Sequence, residues 1–358
     1  MNWVDMRGRY NQVAELYTRP RSRVFSFAID PTDPPNRSPA MKPSPLRFQP
    51  VLKQTIWGGR LLGERLGKPI GPESNYAESW EVVDHGVDQS VVVGGPLNGK
   101  TLHELLTEHH EWLMGETPNR KFPLLLKYLD CNRVLSVQVH PCDTYAATMA
   151  APDLGKTEAW YIVDAKPDAV IYAGLKTGVD ASALRDAVTA GRAEEVLHQF
   201  HPEVGDCVFI PAGTVHAIGA GLLVAEIQQS SDTTFRLYDW NRVDASGRSR
   251  ELHVEESLAV TDFDRGPVAP IRRNAAAEGW QTLARCDKFH LRAIGRGESS
   301  VAGDGHFHIL TVPHGEATLT FGDETTTLIT GESVLLPAAM TAASVHPAKD
   351  GLVLDMSL

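Results

Sequence analysis

Cysteine is scarce in this sequence and never occurs in closely spaced pairs. The chain has 358 residues and contains four cysteines, Cys131, Cys142, Cys207 and Cys286. A small secreted scaffold held by disulfides needs a denser framework, and a thiolate zinc site needs CxxC-type spacing. The cysteines therefore exclude both classes, and we expect them to be small buried or half-buried residues.

Long apolar runs and an excess of positive charge are also missing. No stretch approaches the roughly 18 apolar residues of a membrane-spanning helix, and the N-terminus lacks the order of a secretory signal. The formal net charge is −11, so the chain as a whole repels a nucleic-acid backbone. We therefore expect a cytoplasmic protein with no membrane or nucleic-acid partner. A few basic side chains in one pocket could still bind a small anion.

Proline is concentrated at the start of the chain. Residues 1–45 contain seven prolines with many Arg and Ser and little periodic hydrophobicity, which predicts a disordered leader. Met41 comes directly before a regular domain pattern, so an alternative hypothesis is that translation begins there. The whole sequence is 42% hydrophobic and 22% charged, which is typical of a globular protein with one or two domains.

From Phe48 onward, short strand-like runs alternate with turns rich in Gly, Pro, Asn and Asp. Helical patterns are few. Thr101 and Glu104 have capping-box spacing in front of leucines at helical intervals. A second helical pattern covers about residues 180–199 and breaks near Gly191. The sequence thus predicts a mainly β fold with a small helical insertion.

One short pattern occurs twice. Gly205–Ala212 and Gly331–Ala338 both read G-[DE]-x-V-x-[IL]-P-A, which predicts two related β units. We place the first unit, with the chemistry, at residues 46–270 and a degenerate second unit at 271–358. For the histidines of the second unit we expect surface or packing roles; they are His306, His308, His314 and His346.

Two polar side chains share one face of a predicted strand in the first unit. Side chains alternate along a strand, so Gln138 and His140 face one side while Val137 and Val139 face the other. A polar pair on an inner face must be satisfied by solvent, hydrogen bonds or a metal ion. Taken alone, His140 is more often a hydrogen-bonded interior histidine than a ligand.

Two later segments add a carboxylate and a second imidazole. Glu158 opens a strongly apolar strand, and Lys156 lies two positions earlier on the same face. Glu158 could equally be a strand-edge residue in solvent. His216 follows a Pro/Gly turn and lies between apolar residues. Two histidines, a carboxylate and an amide oxygen suit zinc and leave a position for water or substrate, although spacing alone does not establish the set.

The order of these motifs resembles one protein family. The segments that carry the resemblance are Ile56–Gly59, Ala77–Val82, Leu135–Pro141, Gly155–Glu158, Pro211–Ala217 and Glu226–Arg242. Over about residues 46–358 the chain resembles the type I mannose-6-phosphate isomerases, and its Tyr-Asp-Trp-Asn-Arg segment is similar to their shorter bacterial branch. The resemblance implies two related cupin barrels, each a double-stranded β-helix or jelly roll.

The resemblance also implies roles for individual residues. The ligands of one zinc ion per chain would be Gln138, His140, Glu158 and His216. Arg236 would be the catalytic arginine. The substrate pocket would be lined by Lys156, Ser136 and Asp232. Two positions depart from the family pattern: Cys142 stands where an acidic residue is usual, and Arg242 stands near a lysine of longer relatives.

The implied activity is that of an aldose–ketose isomerase that interconverts mannose 6-phosphate and fructose 6-phosphate through a cis-enediol. Such a reaction needs a base, a stabiliser of the developing oxyanion and an anchor for the phosphate. Lys156, Glu226 and a zinc-bound water are alternatives for the base, and zinc would act as a Lewis acid or would order the pocket. The expected partner is a small sugar phosphate, and a monomer is favoured over a homodimer.

Other interpretations stay open from the residues alone. Arg236 could be a structural partner of Asp232, four residues earlier. A cupin dioxygenase with redox-active iron would gather its two histidines and glutamate in one short motif, whereas here Glu158 lies 18 residues after His140. A non-catalytic sugar-phosphate-binding module would not need Arg236, Asp232 and Lys156 together. Metal content and turnover would separate these classes.

Overall fold

A computed structural model describes residues 42–243 and 247–358. The predicted leader lies outside the described residues except for residues 42–45. Within the described ranges the chain is mainly β, as predicted. No helix in this part of the chain is long and apolar enough to cross a membrane.

Short strands connected by tight turns make up most of the described chain. The strands of the N-terminal part are β1 (Phe48–Gln49), β2 (Val51–Gly59), β3 (Tyr76–Val82), β4 (Asp84–His85), β5 (Asp88–Gln89), β6 (Val91–Val92), β7 (Leu124–Cys131), β8 (Val137–Val139), β9 (Glu158–Ala165), β10 (Ile171–Leu175), β11 (Leu197–Phe200), β12 (Asp206–Ile210), β13 (His216–Ile218), β14 (Leu222–Gln229), β15 (Phe235–Tyr238) and β16 (Ile271–Arg272). Those of the C-terminal part are β17 (Gln281–Arg285), β18 (His290–Ile294), β19 (Ser299–Ser300), β20 (His308–His314), β21 (Glu316–Phe321), β22 (Glu324–Ile329), β23 (Ser333–Leu336), β24 (Ser344–Pro347) and β25 (Leu352–Ser357). The helices are α1 (Leu61–Glu64), α2 (Leu102–Glu108), α3 (His110–Met114), α4 (Asp143–Ala146), α5 (Ala181–Thr189) and α6 (Val254–Val260), with a 3₁₀ turn at Ala193–Val196.

The N-terminal part is a sandwich of two antiparallel sheets. One sheet has the order β16-β12-β9-β14-β7-β3-β2, and the other has the order β11-β10-β13-β8-β15. Alternate residues of both sheets meet in an apolar core that includes Trp160, Val224, Ile171 and Ile218. The inner faces of β9 and β14 therefore point into the space between the sheets, which places Glu158 and Glu226 there as well.

The C-terminal part is a smaller sandwich. Its sheets have the orders β17-β18-β25-β20-β23 and β19-β24-β21-β22. Their inner faces are largely filled by apolar side chains such as Leu310, Val334, Leu319 and Val345.

The two sandwiches follow the same plan. The strand order β3-β7-β14-β9-β12 of the first matches β17-β18-β25-β20-β23 of the second, and β8-β13-β10-β11 matches β19-β24-β21-β22. The matched strands also come in the same order along the chain. This agreement supports the duplication that the repeated G-[DE]-x-V-x-[IL]-P-A pattern predicts.

A shared core joins the two sandwiches. The outer face of the seven-stranded sheet, including Leu126 and Tyr128, packs against Ile309 and Leu354 of the C-terminal sheet. Residues 43–358 accordingly form one compact unit. Strand β16 pairs with β12, so the first sheet extends past residue 270, and the boundary between 270 and 271 stays a prediction.

The predicted helical insertion is shorter than expected. Asp180 caps α5 by accepting a hydrogen bond from the backbone N–H of Ala183 at 2.8 Å, and the chain reverses at Gly191, whose φ is 69°. After the 3₁₀ turn, residues 197–200 form β11, which pairs with β10. The helical prediction over residues 180–199 is therefore wrong for its last three positions, because pairing with a neighbouring strand outweighs local helical spacing.

Candidate functional site

Three buried side chains form a possible metal site in the N-terminal sandwich. His140, Glu158 and His216 each offer one ligand atom, and these atoms lie within 4.8 Å of one another. All three residues are buried. Glu158 is the first residue of β9, His216 opens β13, and His140 follows β8, so three segments distant in sequence contribute to one cluster.

Both imidazoles present the same nitrogen to the cluster. Nδ1 of His140 lies 3.1 Å from the carbonyl oxygen of Thr233, and Nδ1 of His216 lies 2.8 Å from that of Thr214. A carbonyl oxygen only accepts, so each Nδ1 carries the proton and each Nε2 keeps its lone pair. Burial and the positive charge of Lys156 lower the pKa of His140 to about 3. Burial also lowers the pKa of His216. Both rings are thus neutral and can donate to a metal.

Gln138 lies beside this pair. It faces His216 across the strands β8 and β13, and its amide nitrogen lies 3.3 Å from Nε2 of His216. The amide is half-buried rather than buried. Rotating the amide by half a turn would present Oε1 to the same point, so Gln138 could act as a fourth ligand.

Lys156 reaches directly into the cluster. Its Nζ lies 3.0 Å from Nε2 of His140 and contacts Oε2 of Glu158. Burial raises the pKa of Glu158, but the positive charge of Lys156 outweighs burial and holds that pKa well below its usual range. Oε1 of Glu158 is buried without a hydrogen-bond partner in the described chain, which leaves an acceptor for a cation.

A second charged layer lies next to the cluster. Nζ of Lys127 lies 3.2 Å from Oε1 of Glu226 and 3.3 Å from Oε2 of Glu78. Burial and the negative charge of Glu158 raise the pKa of Glu226. Lys156 lies 3.9 Å from the same Glu226 oxygen, so the two layers are electrostatically connected.

Lys127 and Glu78 are not among the site residues predicted from the sequence. A signal was present, because Lys127 follows three leucines in β7, and all eight positions of that strand are buried. A lysine at such a position needs charged partners, and only the fold reveals that β3 and β14 supply them.

Arg236 lies in the same row as two of the proposed ligands. It pairs with Gln138 across β8 and β15, and Gln138 pairs with His216, so the three side chains share one face of the sheet. Its Nη1 donates to the carbonyl oxygen of Glu251 at 2.9 Å, and its buried Nε has no partner within the described residues. Burial and the nearby Arg250 lower the pKa of Arg236.

The other predicted substrate residues lie near this site. Ser136 is buried two positions before Gln138. Asp232 lines two cavities, of about 770 Å³ and about 430 Å³. Glu78 and Trp80 also line the smaller cavity, and the Trp80 ring lies 5.6 Å from Nζ of Lys127. The smaller cavity therefore borders the Lys127–Glu226 layer.

Comparison with known proteins places this site in a family. Residues 46–171 match the family model "Phosphomannose isomerase type I, catalytic domain". The chain is 39% identical over 306 residues to the mannose-6-phosphate isomerase ManA of Bacillus subtilis, covering 83% of this chain and 94% of the relative. It is 35% identical over 296 residues to the mannose-6-phosphate isomerase of Streptococcus mutans, covering 82% of this chain and 92% of the relative.

Solved structures agree with the sequence comparison. The crystal structure of the Bacillus subtilis mannose 6-phosphate isomerase superposes with a TM-score of 0.77 at 34% identity, covering 88% of this chain and 99% of that one. A putative mannosephosphate isomerase from Archaeoglobus fulgidus has the same fold, with a TM-score of 0.70 at 23% identity and coverage of 88% and 99%. The chain belongs to the type I phosphomannose isomerase family of aldose–ketose isomerases.

Proposed function

We propose that this chain is a zinc-dependent mannose-6-phosphate isomerase, which interconverts mannose 6-phosphate and fructose 6-phosphate through a cis-enediol. The observation that carries the proposal is the buried cluster of His140, Glu158 and His216, with Lys156 in contact with it. Membership of the phosphomannose isomerase family supports the substrate pair.

The donor set suits zinc. Two neutral imidazoles and an ionised carboxylate are ligands that catalytic zinc sites use, with a further position left for water or substrate. His140, His216 and Glu158 would hold the ion, and Gln138 would be the fourth ligand. A bound zinc ion would supply Lewis acidity toward the substrate oxygens.

Two side chains of this chain are candidates for moving the proton between the adjacent carbons. Glu226 is a buried carboxyl whose pKa is raised by burial and by Glu158, as a general base working near neutral pH requires. Lys156 lies 3.9 Å from it and is the alternative. Glu226→Gln and Lys156→Met separate the two, because loss of the base stops exchange of the substrate carbon proton with deuterated solvent.

Removing the metal tests the central claim. Metal-free protein, prepared with a chelator, should lose conversion of mannose 6-phosphate in a coupled assay, and added zinc should restore it. Full activity without metal would contradict the metal role. Iron together with oxygen uptake in the purified protein would instead support a cupin dioxygenase.

Arg236 is the proposed stabiliser of the negative charge that develops on the substrate. Its permanent cation lies in the row that holds Gln138 and His216. Replacing such a preorganised donor costs about 10²–10³ in kcat, so Arg236→Ala should lose turnover while it still binds zinc. A rise in KM with kcat unchanged would assign Arg236 to the phosphate instead, and unchanged kinetics would remove it from both roles.

A further inference from the structure

The segment that leads into the metal cluster is fixed by side chains from elsewhere in the fold. Residues 155–157 precede β9 and have no regular secondary structure, yet they carry Lys156 into contact with His140 and Glu158. The backbone N–H of Lys156 donates to the carbonyl oxygen of Pro141 at 3.0 Å. Other contacts must define the rest of this segment.

One carboxylate, that of Asp143, makes several of the contacts that position residues 155–157. Oδ1 of Asp143 accepts hydrogen bonds from the backbone N–H of Gly155 at 2.7 Å and from the side-chain amide of Gln229 at 2.9 Å. Oε1 of Gln229 in turn accepts from the backbone N–H of Thr157 at 3.1 Å. Asp143 thus holds the residues on both sides of Lys156, directly at one side and through Gln229 at the other.

The packing at Gly155 shows how closely these segments meet. A Cβ atom at this position would lie 2.4 Å from the backbone nitrogen of Asp143, a separation that no side chain tolerates. The start of α4 and the segment before β9 therefore touch through their backbones. If Asp143 moved, Gly155 would have to move with it, and so would the residues that follow, Thr157 and Glu158.

Asp143 is tied in turn to the C-terminal sandwich. Nζ of Lys288 lies 2.7 Å from Oδ2 of Asp143. Lys288 belongs to the turn between β17 and β18, where the N–H of Cys286 donates to the carbonyl oxygen of Phe289 at 3.0 Å. Phe289 is buried in the shared core and packs at 6.2 Å from the ring of Phe209. The lysine is therefore presented by an anchored turn.

We propose that Asp143 and Lys288 are positioning residues of the metal centre, through which the C-terminal sandwich sets the placement of Lys156 and Glu158. Neither residue belongs to the metal cluster; each acts through the segment at residues 155–157. Contacts behind the ligands orient the ligands and govern metal affinity in this way. The expected effects on activity and on zinc affinity rest on the proposed function, whereas the effect on the backbone of residues 155–157 does not.

The test compares Asp143→Ala, Lys288→Ala and Lys288→Arg with Asp287→Ala as a matched control. Asp287 also pairs with Lys288, at 2.7 Å, and its side chain is 79% exposed. Zinc affinity, measured by competition with a chelating dye, should fall about tenfold or more in Asp143→Ala. Lys288 is half-exposed, so Lys288→Ala should lower zinc affinity about threefold, and Lys288→Arg should restore most of that affinity. Asp287→Ala should bind zinc as the unmodified chain does.

A second measurement does not depend on metal or activity. In metal-free protein, the backbone amides of Gly155 and Thr157 should exchange with deuterium faster in Asp143→Ala and Lys288→Ala than in Asp287→Ala. Unchanged zinc affinity and amide exchange in both variants would overturn the proposal, as would an equal loss in Asp287→Ala. If Asp143→Ala does not fold, Lys288→Ala, in a turn, decides the question. An unmodified chain that binds zinc but lacks isomerase activity would overturn the proposed function and leave this test intact.

Discussion

Single residues at matched positions distinguish the two sandwiches. Glu158 pairs with Ile210 in the first sandwich, and His308 pairs with Leu336 in the second. Ile210 and Leu336 occupy the same place in the repeated G-[DE]-x-V-x-[IL]-P-A pattern, so His308 stands where the first sandwich has its proposed glutamate ligand. The duplicated framework has thus kept a polar group at this place while changing its chemistry.

The neighbouring matched positions keep a charged pair. Lys127 faces Glu226 in the first sandwich, and Arg292 faces Asp355 in the second, with Nε of Arg292 2.5 Å from Oδ2 of Asp355. Asp355 also lies 2.9 Å from Nδ1 of His308. The second pair is therefore satisfied within its own sandwich.

His308 should stabilise the fold most at low pH. Burial lowers its pKa, but Asp355 and the partly exposed Asp304, 3.2 Å from Nε2, outweigh burial and raise it. A histidine whose pKa is higher in the folded state stabilises the fold. This stabilisation is complete when the pH is below the pKa of the unfolded state, about 6.5, and it is lost as the pH rises through the pKa of the folded state. His308→Gln should cost about 1–3 kcal/mol near pH 6.

The check is thermal or urea unfolding of both proteins across pH. The stability gap between the unmodified chain and His308→Gln should shrink from about pH 6 to about pH 9. His306→Gln, at an exposed position of the loop that precedes β20, is the control and should show no such gap. A gap that grows with pH would mean that the neutral ring is the stabilising form.

Local sequence patterns predict the strand faces on which residues of the candidate site lie. Alternation alone puts Gln138 and His140 on one side, and the structure brings His140 together with Glu158 and His216. The Lys127–Glu226 layer could not be derived, because it depends on which strands neighbour one another. Strand pairing is a long-range property that local pattern does not specify.

At the scale of elements, α2 begins as its sequence predicts. Thr101 accepts from the backbone N–H of Glu104 at 3.1 Å, and the Glu104 carboxylate accepts from the N–H of Thr101 at 2.7 Å. The capping box is therefore confirmed. The end of the segment at residues 180–199 could not be predicted from local spacing, because its last residues form β11 only through pairing with β10.

Removing the cap of α2 should destabilise the protein by a predictable amount. Thr101→Ala leaves the N–H of Glu104 without its acceptor, and such changes cost about 1 kcal/mol. Thr107 lies in the same helix, and its hydroxyl donates only to the carbonyl oxygen of His103. Thr107→Ala should therefore change the unfolding midpoint little, and equal effects of the two variants would contradict the capping argument.

At the scale of the whole molecule, polar contacts accompany the apolar core between the sandwiches. Tyr128 of β7 shares a hydrogen bond of 2.6 Å with Thr311 of β20. Lys68 pairs with Glu81 at 2.6 Å, and its Nζ also donates to the carbonyl oxygen of Gly331 in the other sandwich at 2.5 Å. Buried polar groups like these fix one relative placement of two apolar surfaces, since any shift would leave them unpaired.

The Lys68–Glu81 pair gives the sharpest test of that view. Both side chains are at most 7% exposed, so Lys68→Met strands a buried carboxylate and should cost about 3–5 kcal/mol. Lys68→Met combined with Glu81→Leu removes both charges and should recover most of this loss. Lys100→Met, which breaks an exposed pair with Glu108, should change stability little because water screens such a pair. The measurement is urea unfolding of the unmodified chain and the three variants. A double variant as unstable as Lys68→Met would mean that the hydrogen bond to Gly331, and not the stranded charge, holds the sandwiches together.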